Sequence, residues 1–300
     1  MYVDEDYNGE DFGGNIANSD FLKRENFYKS QEKGQEAKLN KATSSILTAE
    51  NYFSPENQLT YMGASQFKSF LACPAAALAE IRGEYRQEET PALLVGSYVD
   101  AYFEGTLDVF KAKHPALFKK DGSLKSEYVQ AEQIIQRIER DPMMMRYMAG
   151  EKQVIMTGEI AGVPFKIKID SYHPGKVIVD QKIMKDLEDI WSPAEGRRVP
   201  YWQNWGYDYQ GAIYREIVRQ NTGDTLPFMI AAATKQKATR LQIGQIAPER
   251  LDYCLDIVKH EAPRFAAMKR GEIEAERCEE CDYCAETAVL SEIVEYREAG

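Results

Sequence analysis

No stretch of this sequence reaches the roughly 18 to 20 consecutive apolar residues that a membrane span needs. The N-terminus, MYVDEDYNGEDFGG, is acidic where a secretory signal is basic and then apolar. A membrane protein and an exported one are set aside, and a cytoplasmic protein is the expectation. Cysteine is scarce and odd in number, five in all, and three of the five crowd together. A disulfide framework is excluded in favour of a metal site in a reducing compartment. Positive charge is in deficit, with 37 Lys and Arg against 48 Asp and Glu and a net charge of -11. That excludes a uniformly basic coat for nucleic acid, because phosphate neutralisation takes clustered Lys and Arg. A local basic groove stays open, since FKKDGSLK and ATKQKATR concentrate cations while acid collects in the N-terminal arm and the C-terminal tail. There is no internal repeat and no low-complexity tract beyond that arm.

What is present is enough apolar material, 44% of 300 residues, to bury a sizeable core. Residues 1 to 46 lack hydrophobic periodicity and are rich in Asn, Asp, Glu, Lys and Gly, so they are expected to be a flexible arm. A compact domain is expected over residues 47 to 300. It opens with a helix in YMGASQFKSFLACPAAALAEIRGEY, capped by Ser65, with Phe67, Phe70 and Leu71 inward. PALLVGSYVDAYFEG and a charged helical region from about 124 to 149 follow. Strands are expected at KQVIMTGEI, VPFKIKID and KVIVDQK, a helix at YDYQGAIYREIVRQ, strands at LPFMIAAATK and LQIGQI, and a long helix over residues 247 to 269.

The most informative stretch is PFKIKIDSYHPGKVIVDQK. Strand alternation puts Lys166, Lys168 and Asp170 on one face, and Asp180 with Lys182 on one face of the next run. Pro-Gly between them favours a tight turn that brings Asp170 nearly opposite residues 179 to 180. Two carboxylates at cross-strand distance repel unless a cation lies between them. Oxygen ligands with open water positions suit Mg²⁺ or Mn²⁺, and Lys182 reaches the same spot to hold water or offset negative charge. That is the equipment of phosphodiester hydrolysis. An ordinary surface hairpin with incidental charges is the competing reading.

Asp170 followed after a gap by Asp180-Gln181-Lys182 resembles the Asp and (D/E)xK elements of the PD-(D/E)xK nuclease superfamily. LLVGSYVDAYFEG is similar to the helix in which RecB-like and RecE-like nucleases carry a metal-binding His, with Asp100 at that position here. YDYQGAIYREI resembles their Gln-x-x-x-Tyr helix, giving Gln210 and Tyr214. YMGASQFKSFLACPAAALAE and CEECDYC read much like phage-type RecE-like exonucleases. The resemblance implies a mixed central sheet flanked by helices, an α/β restriction-endonuclease-like core. It also implies a metal-dependent exonuclease acting on duplex DNA ends beside a single-strand annealing protein, in a bacterial or phage-infected cytoplasm. Asp100, Asp170 and Asp180 would then bind metal, with Lys182, Gln210 and Tyr214 serving catalysis. A ring of subunits around DNA is one way for an acidic chain to hold it. The rival reading is a non-catalytic DNA-end or single-strand binding module that keeps the fold.

Cys278, Cys281 and Cys284 form CxxCxxC, three thiolates able to converge on one metal. Cys73, in the Cys-Pro segment, is the fourth ligand by similarity to the iron-sulfur relatives of these nucleases. A [4Fe-4S] cluster, a zinc ion and unligated cysteines all stay open, while Cys254 reads as a buried thiol on an amphipathic helix. Weaker candidates are His173 and Lys235 near phosphate and Glu159 in the metal shell. The aromatic run PYWQNWGYDY could stack on bases, although Trp202 and Trp205 are expected in the core.

Overall fold

The computed structural model describes residues 47–86, 89–126, 128–290, 293 and 295, so the arm read over residues 1 to 46 lies outside the described residues. Ser54 caps helix α1 (Pro55–Thr60), which leads to the short strand β1 (Met62–Gly63). The next helix forms as two, α2 (Ala64–Ala72) and α3 (Pro74–Arg82). Pro74 holds Cys73 extended at φ -156°, ψ 103°, which stops one helix and starts the other. Gly63, not Ser65, stands at the N-cap, and Leu71 is 38% exposed while Phe67 and Phe70 are buried. Thr90 caps α4 (Pro91–Glu104) by accepting from the Leu93 N–H. After α5 (Leu107–Lys113), the charged helical region forms two helices, α6 (Val129–Glu139) and α7 (Pro142–Tyr147). Pro142 cannot continue a helix, and Asp141 caps the new one.

Four strands follow, β2 (Val154–Ile160), β3 (Val163–Ile169), β4 (Ser171–His173) and β5 (Val177–Met184). A small hairpin, β6 (Ile190–Ser192) with β7 (Arg197–Val199), and the short α8 (Tyr201–Asn204) lead to α9 (Tyr207–Thr222). The chain then forms β8 (Phe228–Thr234), β9 (Leu241–Gln245), the long α10 (Pro248–Lys269) and α11 (Asp282–Glu286). The expected mixed α/β architecture is present, and beside the β6/β7 hairpin its strands divide into two larger sheets. One has the order β1-β3-β2 and the other β4-β5-β8-β9, with β5 and β8 parallel. Asp170 is the single residue between β3 and β4, where the chain passes from one sheet to the other.

Strand β5 is covered on both faces, which is why its sequence is apolar without a break until Asp180. Ile178 packs into a core with Phe165, Ile213 and Phe265, whereas Val177 and Val179 pack into a second with Val95, Val99 and Ile134. Strand β8 divides in the same way, Phe228, Ile230 and Ala232 to the first core, Ala231 and Ala233 to the second. Helix α9 lies almost flush on β8. A Cβ on Gly211 would come within 2.6 Å of the Phe228 ring and 3.0 Å of Leu251.

Lys166, which alternation puts on the face of Lys168 and Asp170, is only 1% exposed. Its ammonium donates to the Tyr52 carbonyl and, at 3.1 Å, to that of Asn57, and burial pushes its pKa down to about 8. Lys269 donates to Tyr61 O at 2.7 Å and Gln66 Oε1 at 3.1 Å. Burial, then the charge of Lys166, pushes its pKa down to about 7. These two amines tie the segment around β1 to β3 and α10.

Two outcomes are expected. Gly211→Ala should lower unfolding free energy by about 1–3 kcal/mol, because overpacking against a ring exceeds the ~1 kcal/mol of helix propensity gained; a neutral or stabilising result in denaturant titration would show that α9 can lift away. The folded pKa of Lys269 lies below its unfolded value, so near neutrality the unfolded chain binds more protons, and this group's contribution to stability rises from pH 7 towards pH 10. Lys269→Met should flatten that rise by on the order of 1 kcal/mol between pH 7 and 9; identical profiles for the two proteins would contradict it.

Candidate active site

Register explains how the carboxylates meet. Strands β4 and β5 pair Ser171 with Val179, Tyr172 with Ile178 and His173 with Val177. One step further along that register Asp170 faces Asp180. The backbone ladder ends there and the Asp170 side chain continues it, its Oδ2 accepting from the Gln181 N–H at 2.9 Å. Gln153 Nε2 donates to Oδ1 of Asp170 at 3.4 Å.

Alternation along β5 recruits the rest. Asp180 shares the face of Ile178, towards α9, and its Oδ1 accepts from Gln210 Nε2 at 2.6 Å. Gln181 shares the face of Val179, towards α4, and its Nε2 donates to Asp100 Oδ1 at 2.9 Å. A strand buried on both sides thus draws one functional side chain from each flanking helix. Lys182 returns to the first face, where its ammonium forms an ion pair with Asp180 Oδ2 and lies 5.1 Å from the centre of the Tyr207 ring. Tyr214, one turn beyond Gln210, donates its hydroxyl to Lys168 O at 3.0 Å. A cleft of about 360 Å³ is lined by Asp100, Asp170, Asp180, Lys182, Gln210 and Tyr214 together with Lys68, Glu104, Lys166, Lys168 and Gln181.

Burial raises the Asp100 pKa to about 8, with Asp170 adding to the effect and Lys182 opposing it. Burial likewise raises Asp170 to about 7, with the charge of Asp180 adding and Lys182 and the Gln181 N–H opposing. Burial works against the charge of Lys182, but Asp180 and Asp170 outweigh it and hold the amine above its ordinary value. At the centre of the cleft three carboxyls meet one amine, and burial holds two of those carboxyls against ionisation, a strain that a bound cation would relieve. Among the described residues, Asp180 Oδ2 is a buried oxygen with no hydrogen-bond donor aligned on it, Lys182 meeting it as an ion pair. An all-oxygen donor set whose crowded carboxyls ionise together only at a cost fits a hard divalent cation such as Mg²⁺ or Mn²⁺.

Several other expectations fall elsewhere. Glu159 is exposed and pairs with Pro164 in the β2/β3 ladder, at the end away from Ile169, so strand direction takes it from the carboxylates. His173 ends β4 and sets its Nε2 2.8 Å from Tyr147 O, a structural contact. Lys235 donates to Ala92 O at 3.0 Å. Trp202 packs against the core, but Trp205, expected beside it, is 53% exposed, because α8 ends there and turns it outward. Cys254 is fully buried as expected. Cys73, Cys278, Cys281 and Cys284 come together with all four sulfurs within 4.8 Å of one another. Sequence reasoning missed Lys68, whose Nζ donates to Trp205 O at 3.1 Å and faces the Tyr207 ring at 5.1 Å. It also missed Gln181 as the link between Asp100 and Asp170. The alternation of β5 contained that signal, but only once both faces were known to be covered.

An Asp at the junction of two sheets and an Asp-x-Lys on the strand beside it, met by a carboxylate from α4, form the arrangement of a PD-(D/E)xK-type fold. The chain belongs to the family described as PDDEXK-like domain of unknown function (DUF3799), whose model matches residues 63–287. It is similar to the crystal structure of a protein from Eubacterium rectale, provisionally named as an exonuclease. The two share 46% identity and a TM-score of 0.79, over 84% of this chain and 97% of that one. No curated protein matches the chain.

If the cleft takes a divalent cation, Mg²⁺ should raise the thermal midpoint, by the equivalent of about 2.7 kcal/mol at a hundred times its Kd. Asp170→Asn keeps an acceptor for the Gln181 N–H, so it should fold as stably as the wild type without Mg²⁺ and lose the Mg²⁺-dependent gain. An equal gain in both proteins would place the cation elsewhere.

Proposed function

We propose that this protein is a metal-dependent deoxyribonuclease that removes nucleotides from the ends of linear duplex DNA. Its setting would be phage-type recombination in the cytoplasm, beside a single-strand annealing protein. The observation that carries this reading is the convergence of Asp100, Asp170, Asp180 and Lys182 in one cleft. Similarity to a protein provisionally named as an exonuclease supports digestion from ends over other uses of the same fold. No helix among the described residues is long and apolar enough to cross a membrane.

Asp100, Asp170 and Asp180 would hold one or two Mg²⁺ or Mn²⁺ ions. When bound there, such a cation supplies Lewis-acid chemistry, acidifying water and offsetting charge on phosphate. The chain's own groups do the rest. Lys182, kept charged between Asp180 and Asp170, would meet the negative charge that grows on the phosphoryl oxygens as the P–O3′ bond breaks. The Gln210 amide, fixed on Asp180 Oδ1, and the Tyr214 hydroxyl, fixed on Lys168 O, would keep the carboxylate and the adjoining strand in place while the DNA strand is cut. Lys68 and Lys168 on the walls of the cleft would contact the phosphates before and after the scissile one. Trp205, half exposed near Lys68, offers a face for a frayed base. With a net charge of -11, the chain would hold DNA through this local groove and through subunits closing around the duplex. The nuclease domain would span residues 47 to 300, with residues 1 to 46 as an appended arm.

The deciding experiment digests end-labelled linear duplex DNA with Mg²⁺ beside a closed circular control. Wild type should release nucleotides from the linear DNA alone, Asp180→Ala should release none, and Lys182→Ala should be slower by about 10²–10³. Cutting of the circle would mean an endonuclease, and cleavage by Asp180→Ala would refute the assignment of the site.

A further inference from the structure

The cysteine cluster joins two distant parts of the chain. Cys73 sits at the break between α2 and α3, Cys281 at the N-cap of α11 and Cys284 within it. Cys73 and Cys284 are buried, and Cys278 and Cys281 are half-buried. Spacing of the sulfurs separates the metals that four thiolates could hold. The distance from Cys73 Sγ to Cys284 Sγ is 3.7 Å, that from Cys278 Sγ to Cys284 Sγ is 3.9 Å, and no pair exceeds 4.8 Å.

A single tetrahedral ion with metal–sulfur bonds of ~2.3 Å sets its sulfurs about 3.8 Å apart. In a cubane each thiolate binds its own iron and points outward from a different corner, so the four sulfurs stand roughly 6 Å apart. A two-iron centre puts its two pairs of thiolates on opposite sides, also beyond the observed spread. The local backbone favours a compact site as well. The N–H groups of Glu280 and Cys281 point at Cys278 Sγ, at 3.5 and 3.4 Å, through a turn in which Glu279 takes φ 61°. Donors of this kind stabilise a thiolate held as a ligand.

We propose that Cys73, Cys278, Cys281 and Cys284 bind one zinc ion as a closed structural clip, in place of an iron-sulfur cluster. Four thiolates are soft donors that fill a tetrahedral ion completely and leave no open position for chemistry. The clip fastens the segment 276–286 to the α2/α3 break, where the Ala75 N–H also donates to Glu276 O at 3.0 Å. Arg277 braces the same hook by donating to Cys284 O at 2.6 Å. Helix α2 runs from this point to the carboxylate cleft, which it lines with Ala64, Ser65, Gln66 and Lys68. The ion therefore fixes one end of a helix whose other end forms a wall of the cleft.

The test measures metal in the full chain, produced with both iron and zinc in the medium and purified without oxygen. It involves no DNA, so its failure and that of the nuclease reading are separable. The expected result is one zinc per chain in a colourless protein without acid-labile sulfide, with release of that zinc on titration with an organomercurial. Releasing it should lower the thermal midpoint by about 10 °C or more. Cys278→Ser should retain less than about a tenth of the zinc; if that variant does not fold, the organomercurial titration of the wild type decides. Iron with matching sulfide, a single iron, no bound metal, or full zinc in Cys278→Ser would each overturn the proposal.

Discussion

Strand β5 carries an aspartate into a protein interior, and the rest of the site answers to that. The Asp180 carboxylate is 2% exposed, and a buried charge survives only if it is paired and hydrogen-bonded. Lys182 pairs with one oxygen and Gln210 binds the other. Those two contacts fix the direction of β5 against α9, and the close seat of Gly211 on Phe228 sets the distance between them. The opposite face of the strand uses Gln181 in the same way to place Asp100 from α4. Both helices are positioned by polar contacts at one end of the strand and by apolar packing along the remainder.

An acidic protein that is to act on a polyanion, as proposed, has to offset its charge locally. The cleft does so with Lys68, Lys166, Lys168 and Lys182, and it spends each amine differently. Lys166 is committed to carbonyl groups and Lys182 to Asp180, while Lys68 and Lys168 face aromatic rings, Tyr207 and Phe53, on the cleft's walls. The surplus of carboxylate over amine at the centre, against amine at the rim, sorts the site into a place for cations and a place for phosphates.

How much of this was legible in the sequence follows from the range of each signal. The Asp170/Asp180 meeting was readable because alternation and a Pro-Gly turn are local, and register follows from them. Gln210 and Tyr214 needed the resemblance, since nothing in a helical Gln or Tyr announces a partner thirty residues upstream. The burial of Lys166 was not legible because alternation tells which face a residue shares, not whether that face is open. Here the segment around Tyr52 and Asn57 covers it. The split of one expected helix at Cys73-Pro74 was written in the proline itself and should have been read from it. Trp205 was misassigned for the opposite reason, a large aromatic that composition sends inward and a helix end turns outward.

The two groups proposed to bind metal differ in the way their proposed tasks differ. The carboxylates come from β5, from the junction after β3 and from α4, and they line an open cleft in which a hard ion keeps room for water and phosphate. The four cysteine sulfurs, all within 4.8 Å of one another, leave a space that a single soft ion would fill. Helix α2 has one end in each neighbourhood, Lys68 towards the first and Cys73 in the second. A cleft wall that consists of a nine-residue helix depends on tertiary contacts to hold its place, supplied along its length by Phe67 and Phe70. The proposed ion at its far end would add to that rigidity, and this is a physical reason for a hydrolase to keep a metal that takes no part in hydrolysis.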